Sequence, residues 1–559
     1  MRFLNFFIGL VLILLTSLFV PRVWYPEAVQ KQLYQWVGTP SYRELPQTEI
    51  VNRAPLPPEL QPCSGAKPEW RKKQVIEGID IAPSPVCLAD NPYLVAAAVK
   101  GTNRVSHMTL MESRLTPDAV VKGRDLDGDG DPDEIHIRLE VIELNGSSPD
   151  VPANVTTFPI APGVEPGFWV FAPKGFGMST KSFESFEAND ILRAPSPAIR
   201  VEQGDKVKLT LENSHYMPHT IHLHGVDHPY LTADGQGNDG VPQTGEIPVF
   251  PGKQRTYEFT PRQPGTMFYH CHVQPAMHIL MGLQGMFIIE ENRPNNMVQT
   301  LNIGAGFVRH SSAAVKESFA REYDLHYQDI DYGMNNLIQK YNDPRNIIKA
   351  VHRDYDITDG SADYYLLNGR SFPYIWEEAL IVAAPNTHTK MRVVNGGGHG
   401  VALHTHGHKV KVTHLDGVAR EPAQQEQRDV VWIAPAQRVD LDLYTLNDGL
   451  HSYGEGIWFM HDHKEVGVTT NGIGPGGNVS AIVYDSFMDE NGLPKTQGVD
   501  LTQYFYPEFY ARRMPIWESY DPIGIFGDPE YSHVAKLRFV LIGLFFGLGF
   551  LLIRSSWRG

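Results

Sequence analysis

Histidine recurs at alternate positions four times in this chain, and this pattern restricts the fold more than any other feature. The four pairs are His222/His224, His270/His272, His404/His406 and His461/His463. Side chains two residues apart in a β-strand point to the same face, so each pair is expected to present two imidazoles together. The pairs fall two by two, in the same order, in two successive parts of the chain. This repetition predicts two similar β-domains in tandem.

Short strand-like segments separated by Gly, Pro and Asn support this division. IHIRLEVIEL and AIRVEQGDKVKLTLEN stand in the first part, and MRVVNGG and QRVDLDLYT in the second. Strands of this size favour antiparallel sandwiches. We therefore expect an all-β fold with two tandem sandwiches at residues 134–295 and 296–490. Helix-like stretches such as SAAVKESFAREY, within residues 311–351, predict an insertion or bridge, whereas residues 22–133 have no assigned fold.

Apolar runs stand near both ends of the chain. FLNFFIGLVLILLTSLFV follows Arg2, and FVLIGLFFGLGFLLI precedes Arg554. Their lengths are close to what a bilayer core requires. We expect transmembrane helices at residues 1–21, as a retained anchor rather than a cleaved signal, and at 536–554, reached through a return segment at 491–535. Arg2, Arg554 and Arg558 favour cytoplasmic termini, which places the remainder on the periplasmic or extracellular side.

Charge argues against one class of partner, and the cysteine content singles out one residue. With 48 basic and 64 acidic residues the net charge is −16, which argues against nucleic acid as a partner. In an oxidising compartment Cys63 and Cys87 would be free to form a disulfide or to remain two structural thiols. Either way Cys271 is the odd cysteine, and it stands between His270 and His272.

The ligand types indicate copper. A single His-x-His pair is more often surface decoration than a metal site, but eight paired imidazoles suit a cluster of several ions. One thiolate with two histidines is the ligand set of a blue-copper electron-transfer centre. Cys271, His219 and His278 are the residues left over to form such a second site.

On these motifs, HTIHLHG, HCH, LHTHGH and MHDH, the chain resembles the multicopper oxidases, a family of tandem cupredoxin-like Greek-key domains. The resemblance implies type 1 copper ligands at His219, Cys271 and His278, type 2 ligands at His222 and His404, and type 3 ligands at His224, His270, His272, His406, His461 and His463. In the second domain Val401 and Asp462 occupy the positions of a type 1 His and Cys. Only the first domain is thus expected to hold type 1 copper.

The resemblance also implies an activity. A reducing substrate is oxidised at the type 1 copper, and dioxygen is reduced to water at a trinuclear type 2/type 3 cluster, with about four coppers per chain. The substrate would be a small reductant, a metal ion or an electron-donor protein. Leu283 is the expected axial residue of the type 1 site, with Met281 and Met286 as alternatives. Asp239 is the expected proton-transferring carboxylate, and Glu465 is a second candidate.

Two other functions share parts of this pattern. A copper nitrite reductase has the tandem fold and a type 1 centre, but His272 and the complete pairs of the second domain argue against it. A non-catalytic electron-transfer protein would not need eight cluster histidines. Two-domain members of the family assemble as rings in which neighbouring subunits share each cluster, so a homotrimer is expected.

An acidic run, DLDGDGDPD, lies outside the copper motifs. Asp125, Asp127, Asp129 and Asp133 offer oxygen ligands at alternate positions with a glycine for the turn, as calcium requires. His136 stands where a helix-loop-helix calcium site has glutamate. A calcium site and a solvated acidic loop are equally compatible with this segment.

Overall fold

The computed structural model of the protein describes residues 2–16, 74–76, 79–81, 119–145, 158–173, 193–296, 298–308, 317–341, 343–358, 360–489, 492–495, 501–511 and 529–557. These form two compact units, one of Met1–Gln47 with Gly498–Gly559 and one of Thr48–Gln497. Cys63 and Cys87 lie outside the described residues.

Helices are few and mostly short. They are α1 (Arg2–Thr16), α2 (Pro275–His278), α3 (Tyr332–Gln339), α4 (Pro344–Asp354), α5 (Ile375–Glu378), α6 (Pro507–Tyr510) and α7 (Pro529–Trp557). Short 3-10 turns cover Pro242–Thr244, Pro422–Gln424, Glu465–Val468, Asp485–Phe487 and Leu501–Phe505.

The first part of the larger unit is built from two sheets, apart from a small hairpin of β1 (Gln74–Ile76) and β2 (Ile79–Ile81). Its strands are β3 (Val120–Lys122), β4 (Glu134–Leu144), β5 (Phe168–Pro173), β6 (Ala198–Glu202), β7 (Lys206–Glu212), β8 (His222–His224), β9 (Gln254–Phe259), β10 (Gly265–His270), β11 (Gln284–Glu290) and β12 (Leu301–Asn302). One sheet has the order β12-β6-β11-β10-β8, and the other β3-β4-β7-β9 with β5 beside β4. We call β3 to β12 the first half.

The second part contains two further sheets. Its strands are β13 (Gly306–Phe307), β14 (Arg321–Ile330), β15 (Tyr364–Leu367), β16 (Ile381–Ala383), β17 (His388–Asn395), β18 (Val401–Thr405), β19 (Val410–Leu415), β20 (Val418–Ala419), β21 (Gln427–Arg428), β22 (Val430–Ile433), β23 (Arg438–Tyr444), β24 (Ile457–Asp462) and β25 (Ser480–Tyr484). The sheet orders are β13-β14-β17-β23-β19-β20, with β15 and β21 at its sides, and β16-β25-β24-β18-β22. We call β13 to β25 the second half.

The two halves repeat one pattern of strand pairing. In the first half β6 pairs parallel with β11 and β4 parallel with β7, while β10 pairs antiparallel with both β11 and β8. In the second half the corresponding pairs are β16 with β25, β14 with β17, and β24 with β25 and β18. The prediction of a mostly β, cupredoxin-like fold is confirmed at this level.

The core of the first half lies between its two sheets. Ile137 and Leu209 from one sheet pack in the same cluster as Ile199 and Phe287 from the other, and this cluster also contains Cys271. These side chains are almost completely buried. The cysteine of the predicted copper site, which directly follows β10, is therefore embedded in the hydrophobic core rather than exposed at the surface.

The segment between the halves is only partly the predicted helical insertion. Of the helix-like stretch SAAVKESFAREY, residues 312–316 lie outside the described residues, and the last three residues begin the strand Arg321–Ile330, which pairs through its backbone with β17 and is buried along almost its whole length. The helices come later, as α3 and α4. Asp331 caps α3 by accepting the Met334 N–H, and Met334 joins the core of the first half.

The smaller unit pairs the two terminal helices. Phe539–Trp557 within α7 is the one described segment long and apolar enough to cross a membrane, with mean hydropathy 2.0, whereas α1 is a shorter apolar helix of 15 residues. A Cβ added at Gly9 would lie 2.7 Å from the carbonyl oxygen of Gly549, so glycine allows close approach of the two backbones. A membrane span through α1 stays a prediction.

A buried ion network joins the two halves. Arg200 of β6 donates to both carboxylate oxygens of Asp324 on β14, at 2.6 and 2.5 Å, and both side chains are almost fully buried. Arg392 of β17 forms ion pairs with Glu290 of β11 and with Glu322 of β14. Charges buried in this way are tolerated only when they are paired, so the network fixes how the halves dock.

Arg200→Met should therefore destabilise the protein strongly, because it leaves the buried Asp324 carboxylate without its main partner. We expect the free energy of unfolding to fall by about 3–5 kcal/mol, measured by urea unfolding of the detergent-purified chain. Arg345→Met removes the exposed partner of Asp343 and is the matched control, which should change stability little. Equal stability of the two variants would contradict a structural role for the network.

Candidate metal centre

A cysteine and two histidines meet in the core of the first half. The Sγ of Cys271 lies 3.2 Å from Nδ1 of His278 and 3.6 Å from Nδ1 of His219, and none of the three residues is exposed. Cys271 directly follows β10, and His278 ends α2. The Thr220 backbone N–H points at the sulfur at 3.5 Å. The three predicted type 1 ligands are thus brought together around one point.

Burial sets the protonation of this trio in the metal-free protein. It raises the pKa of Cys271 to about 11 and lowers that of His278 to about 3. Burial, with smaller contributions from His278 and His215, also holds the pKa of His219 far below its usual range. The imidazoles are therefore neutral at physiological pH, with lone pairs available to a metal. The thiol must release its proton when a metal binds.

Leu283 is held next to this trio by its backbone. The Cys271 N–H donates to the Leu283 carbonyl, and the Leu283 N–H donates to the His278 carbonyl, each at 3.0 Å. Met286 instead packs in a separate cluster with Phe268 and Val394. The Met281 sulfur accepts a hydrogen bond from Asn335 Nδ2 at 3.6 Å. These contacts favour Leu283 over both methionines as the axial residue, which stays a prediction.

Four histidines cluster at the end of the same sheet. Antiparallel pairing of β8 with β10 sets His222 opposite His270. The ring of His222 lies 5.1 Å from that of His224 and 5.2 Å from that of His272, and Nε2 of His224 lies 2.9 Å from Nε2 of His270. His222, His224 and His270 present ligand atoms close enough to share one ion.

The second half repeats this cluster. Pairing of β18 with β24 sets His404 opposite His461, and Nε2 of His406 lies 3.1 Å from Nε2 of His461. The ring of His463 lies 5.5 Å from that of His404. All eight paired histidines are therefore gathered into two groups of four, as their spacing predicts.

Backbone carbonyls fix the tautomers of both clusters. Nδ1 of His222 lies 2.7 Å from the Asp239 carbonyl oxygen, and Nδ1 of His404 lies 2.8 Å from that of Asp429. Nδ1 of His270 and of His461 each lie 2.9 Å from the carbonyl oxygen of the next residue. A carbonyl oxygen only accepts, so each Nδ1 carries the proton and each Nε2 carries a lone pair. Converging lone pairs of this kind suit a shared cation.

The two clusters differ in exposure. His270 is buried and the other three histidines of the first cluster are half-buried, whereas no histidine of the second cluster is buried and the side chain of His463 is 55% exposed. No described contact joins a histidine of one cluster to a histidine of the other. Among the described residues, each half of the chain thus offers its own separate group of histidines.

Asp462 stands between His461 and His463, as Cys271 stands between His270 and His272. Its carboxylate accepts the N–H groups of Ala402, at 2.9 Å, and Lys464, at 3.0 Å, and it is buried. Burial raises the pKa of this carboxyl. Asp462 therefore anchors the loop between His461 and His463.

The two predicted proton-transferring carboxylates differ in their surroundings. Oδ1 of Asp239 lies 3.3 Å from Nδ1 of His222 and 3.5 Å from Nε2 of His228. Glu465 lies 3.8 Å from Nδ1 of His463, but its side chain is 85% exposed. The geometry favours Asp239 over Glu465 for a role beside the clusters.

Sequence reasoning missed the residues that hold the Asp239 loop in place. Gly240 has φ +75°, and a Cβ there would lie 2.0 Å from the Ile221 carbonyl oxygen. The buried Glu246 carboxylate accepts the Gly240 N–H at 2.7 Å and the Tyr257 hydroxyl at 3.0 Å. The DGVPQTGE spacing carries the only sequence signal for this arrangement. His215, which lies 2.9 Å from His219, was also missed.

A cavity of about 570 Å³ opens between the halves. His224, His270 and His272 line one wall, and Asp329 and His399, which form an ion pair at 2.8 Å, line another. Space for a small molecule therefore exists beside the first cluster.

The acidic loop gathers three of its four predicted calcium ligands. Carboxylate oxygens of Asp125, Asp127 and Asp133 lie close enough to share one ion, whereas Asp129 is not part of this group. Many of these oxygens already accept N–H groups of the loop, including those of Gly128 and Gly130. Calcium binding stays a prediction.

Comparison with known proteins connects this geometry to one family. The family model described as multicopper oxidase matches residues 189–294. The sequence is 24% identical over 362 residues to the iron transport multicopper oxidase FET3 of Saccharomyces cerevisiae, covering 64% of this chain and 48% of that protein. It is 34% identical over 103 residues to the multicopper oxidase mco of Staphylococcus aureus, covering 18% of this chain and 21% of that protein.

Among solved structures, the blue copper oxidase from Nitrosomonas europaea aligns with a TM-score of 0.46 and 23% identity, covering 67% of this chain and 92% of that chain. The chain spans about half the length of the FET3 relative.

Gly240→Ala should displace the loop that carries Asp239, because the added methyl group would overlap the Ile221 carbonyl. Gly235→Ala is a matched control, since Gly235 also has positive φ, at +82°, but nothing lies within 4 Å of its added Cβ. The control should lose about 1 kcal/mol of stability from backbone strain alone, and Gly240→Ala more than that. Thermal unfolding and the metal content of the purified variants measure the difference. Equal effects would mean that the close approach is not needed.

Proposed function

We propose that this chain, which belongs to the multicopper oxidase family, oxidises a reducing substrate and reduces dioxygen to water. His219, Cys271 and His278 would hold a type 1 copper, and the eight paired histidines a trinuclear cluster. The observation that carries this proposal is the doubled set of clustered imidazoles, of which the first adjoins a buried Cys-His-His trio through His270 and His272. When bound, copper supplies one-electron transfer and the reduction of dioxygen.

The donor set fits copper. Two neutral imidazoles and one thiol in the core match the ligands of a blue-copper centre, and imidazoles alone suit the cluster. His272 supports a ligand role, because its Nδ1 is buried without a hydrogen-bond partner among the described residues. A nitrite reductase needs neither His272 nor four histidines in the second half, so this arrangement favours the oxidase.

The chain itself provides the route for electrons. His270 and His272 are bonded directly to Cys271 through the backbone, so only a few covalent bonds separate the thiolate from two cluster imidazoles. His270 belongs to β10 and is buried, which holds its ring at the cluster. The HCH segment thus links the buried Cys271 site to the first histidine cluster.

Asp239 is the carboxylate that we assign to proton transfer. Its side chain contacts His222 and is partly solvent-accessible, so it connects the cluster with water. Glu465 is the second candidate, at the exposed side of His463.

We further propose that the chain works as a homotrimer. The second cluster is exposed in the single chain and is separate from the first, so each set lacks its complement. A head-to-tail ring of three copies joins the first half of one subunit to the second half of the next and closes without free ends.

The location that we propose is a membrane anchor with the catalytic unit on the periplasmic or extracellular side. The apolar segment Phe539–Trp557 and the close packing of α1 against α7 support the anchor. The reductant would be a small molecule, a metal ion or an electron-donor protein, and the net charge of −16 favours cationic partners over nucleic acid.

Cys271→Ser should abolish the blue absorption, expected near about 600 nm for a thiolate-copper transition, together with substrate oxidation. His404→Ala should stop oxygen consumption but leave the blue centre formed. Visible and EPR spectra, copper content and oxygen uptake distinguish the two. An undiminished blue band in Cys271→Ser would refute the type 1 assignment. Loss of the blue band together with oxygen consumption in His404→Ala would refute the separation of the two sites.

Asp239→Asn should slow the reoxidation of fully reduced protein by dioxygen about 100-fold or more, as expected for loss of an acid catalyst. Anaerobic reduction of the blue centre by substrate should not change. Stopped-flow absorbance measures both steps. Glu465→Gln should have the smaller effect, and the reverse ranking would transfer the role to Glu465.

Subunit sharing can be tested by complementation. His224→Ala and His404→Ala should each be inactive alone, but a mixed trimer has one interface with an intact first half facing an intact second half. Co-expression in equal amounts should therefore restore about a quarter of the wild-type oxygen uptake. If one chain held a complete cluster, co-expression would restore nothing.

A further inference from the structure

His215 is a buried histidine that none of the copper motifs includes. It stands four residues before His219, and its Nδ1 lies 2.9 Å from Nε2 of His219. Nδ1 on the other side of the His219 ring faces the Cys271 sulfur at 3.6 Å. His215 thus contacts the back of a residue that, in the proposed function, binds the type 1 copper.

The backbone determines which nitrogen of His215 carries the proton. The Met217 backbone N–H points at Nδ1 of His215 at 3.4 Å, and a backbone N–H only donates. Nδ1 of His215 is therefore an acceptor, and the proton of its neutral ring is on Nε2. It follows that the hydrogen in the contact between the two rings belongs to Nε2 of His219.

We propose that His215 is a positioning residue for the type 1 site: by accepting the His219 Nε2–H, it leaves the His219 lone pair on Nδ1, facing Cys271. This inference rests on the proposed function for its copper chemistry, but not for the tautomer. Metal-binding histidines commonly donate their second N–H to an acceptor, which fixes the ring and makes it a stronger ligand. Here a second histidine provides that acceptor.

The loop around His215 is rigidly supported. Asn213 accepts the His215 backbone N–H at 2.9 Å, and its own Nδ2 donates to the carbonyl oxygens of Met217 and Val249, both at 2.7 Å. The loop therefore presents His215 in one position relative to His219.

Aromatic packing restricts the ring as well. The His215 ring lies 4.8 Å from the ring of Trp169 and 4.0 Å from that of Tyr216, and Trp169 also packs edge-on against His278 at 5.2 Å. Nε2 of His215 is buried with no hydrogen-bond partner among the described residues. A hydrophobic residue at this position would not bury an N–H group without a partner. We therefore attribute the role of His215 to its Nδ1.

Two substitutions separate the acceptor from the ring. His215→Phe keeps a ring of similar size but removes the acceptor, whereas His215→Asn places Oδ1 near the former Nδ1 and can still accept from His219. In the phenylalanine variant we expect type 1 copper affinity to fall about 10- to 100-fold. We also expect the reduction potential to rise, because a less electron-rich imidazole stabilises cupric copper less. His215→Asn should restore both towards wild type.

The measurements are copper titration, redox titration of the blue band and thermal unfolding of the copper-free protein. His352→Phe is the control, since His352 is exposed on α4. Wild-type affinity and potential in His215→Phe would overturn the proposal. So would equal losses in the phenylalanine and asparagine variants, which would indicate packing alone.

A metal-free readout keeps the inference separate from the proposed function. In NMR spectra of copper-free protein with ¹⁵N-labelled histidine, the signals lost in His219→Ala identify the His219 ring. In the wild type these signals should show the proton on Nε2. In His215→Phe the preference for Nε2 should be weaker. A proton on Nδ1 of His219 in the wild type would refute the role of His215. A wild-type chain that binds no blue copper but shows the expected tautomer would instead refute only the proposed function.

Discussion

Antiparallel strand pairing at two equivalent places determines almost everything about the candidate site. The pairing of β8 with β10 sets His222 opposite His270, and the pairing of β18 with β24 sets His404 opposite His461. Directly opposed residues in such a pair have Cβ atoms about 4.5–5.5 Å apart, which is close enough for two rings to share an ion. If one strand slipped by one residue against its partner, its histidines would turn to the other face of the sheet, away from the histidines of the partner strand. The register is thus a condition for the site as well as for the core.

Backbone carbonyl groups then determine which nitrogen of each imidazole carries the proton. An imidazole has two nitrogens, and an unconstrained neutral ring exchanges its proton between them. The carbonyl oxygens of Asp239 and Asp429 hold the proton on Nδ1 in His222 and His404. At His219 the opposite arrangement appears, because its Nε2 contacts a side-chain acceptor, His215. His219 therefore differs from His222 and His404 in which ring nitrogen carries the lone pair, and in each case a neighbouring acceptor selects it.

The sequence predicted correctly that the histidines group together, but strand alternation explains the position of only some of them. Same-face alternation holds within β8, which contains both His222 and His224, but His272, His406 and His463 lie just beyond the ends of their strands. Their position depends on how the chain leaves the strand. In the second half the Asp462 carboxylate fixes that exit by binding two backbone N–H groups. Periodicity carries no information on such contacts, nor on Arg321–Tyr323, where the end of a helix-like stretch begins a strand that pairs with β17.

The difference in burial between the sites links metal binding to assembly. The Cys271 trio is enclosed by one core and is complete in one chain, so its formation depends only on the fold of the first half. The second cluster is open to solvent, since His406 and His463 are exposed and His404 and His461 are half-buried. In the proposed trimer a neighbouring subunit supplies the missing ligands. An ion that binds the assembled trimer more tightly than the single chain stabilises the trimer by the difference between the two binding free energies. The buried site would then form in a single chain, whereas the cluster and the trimer would form together.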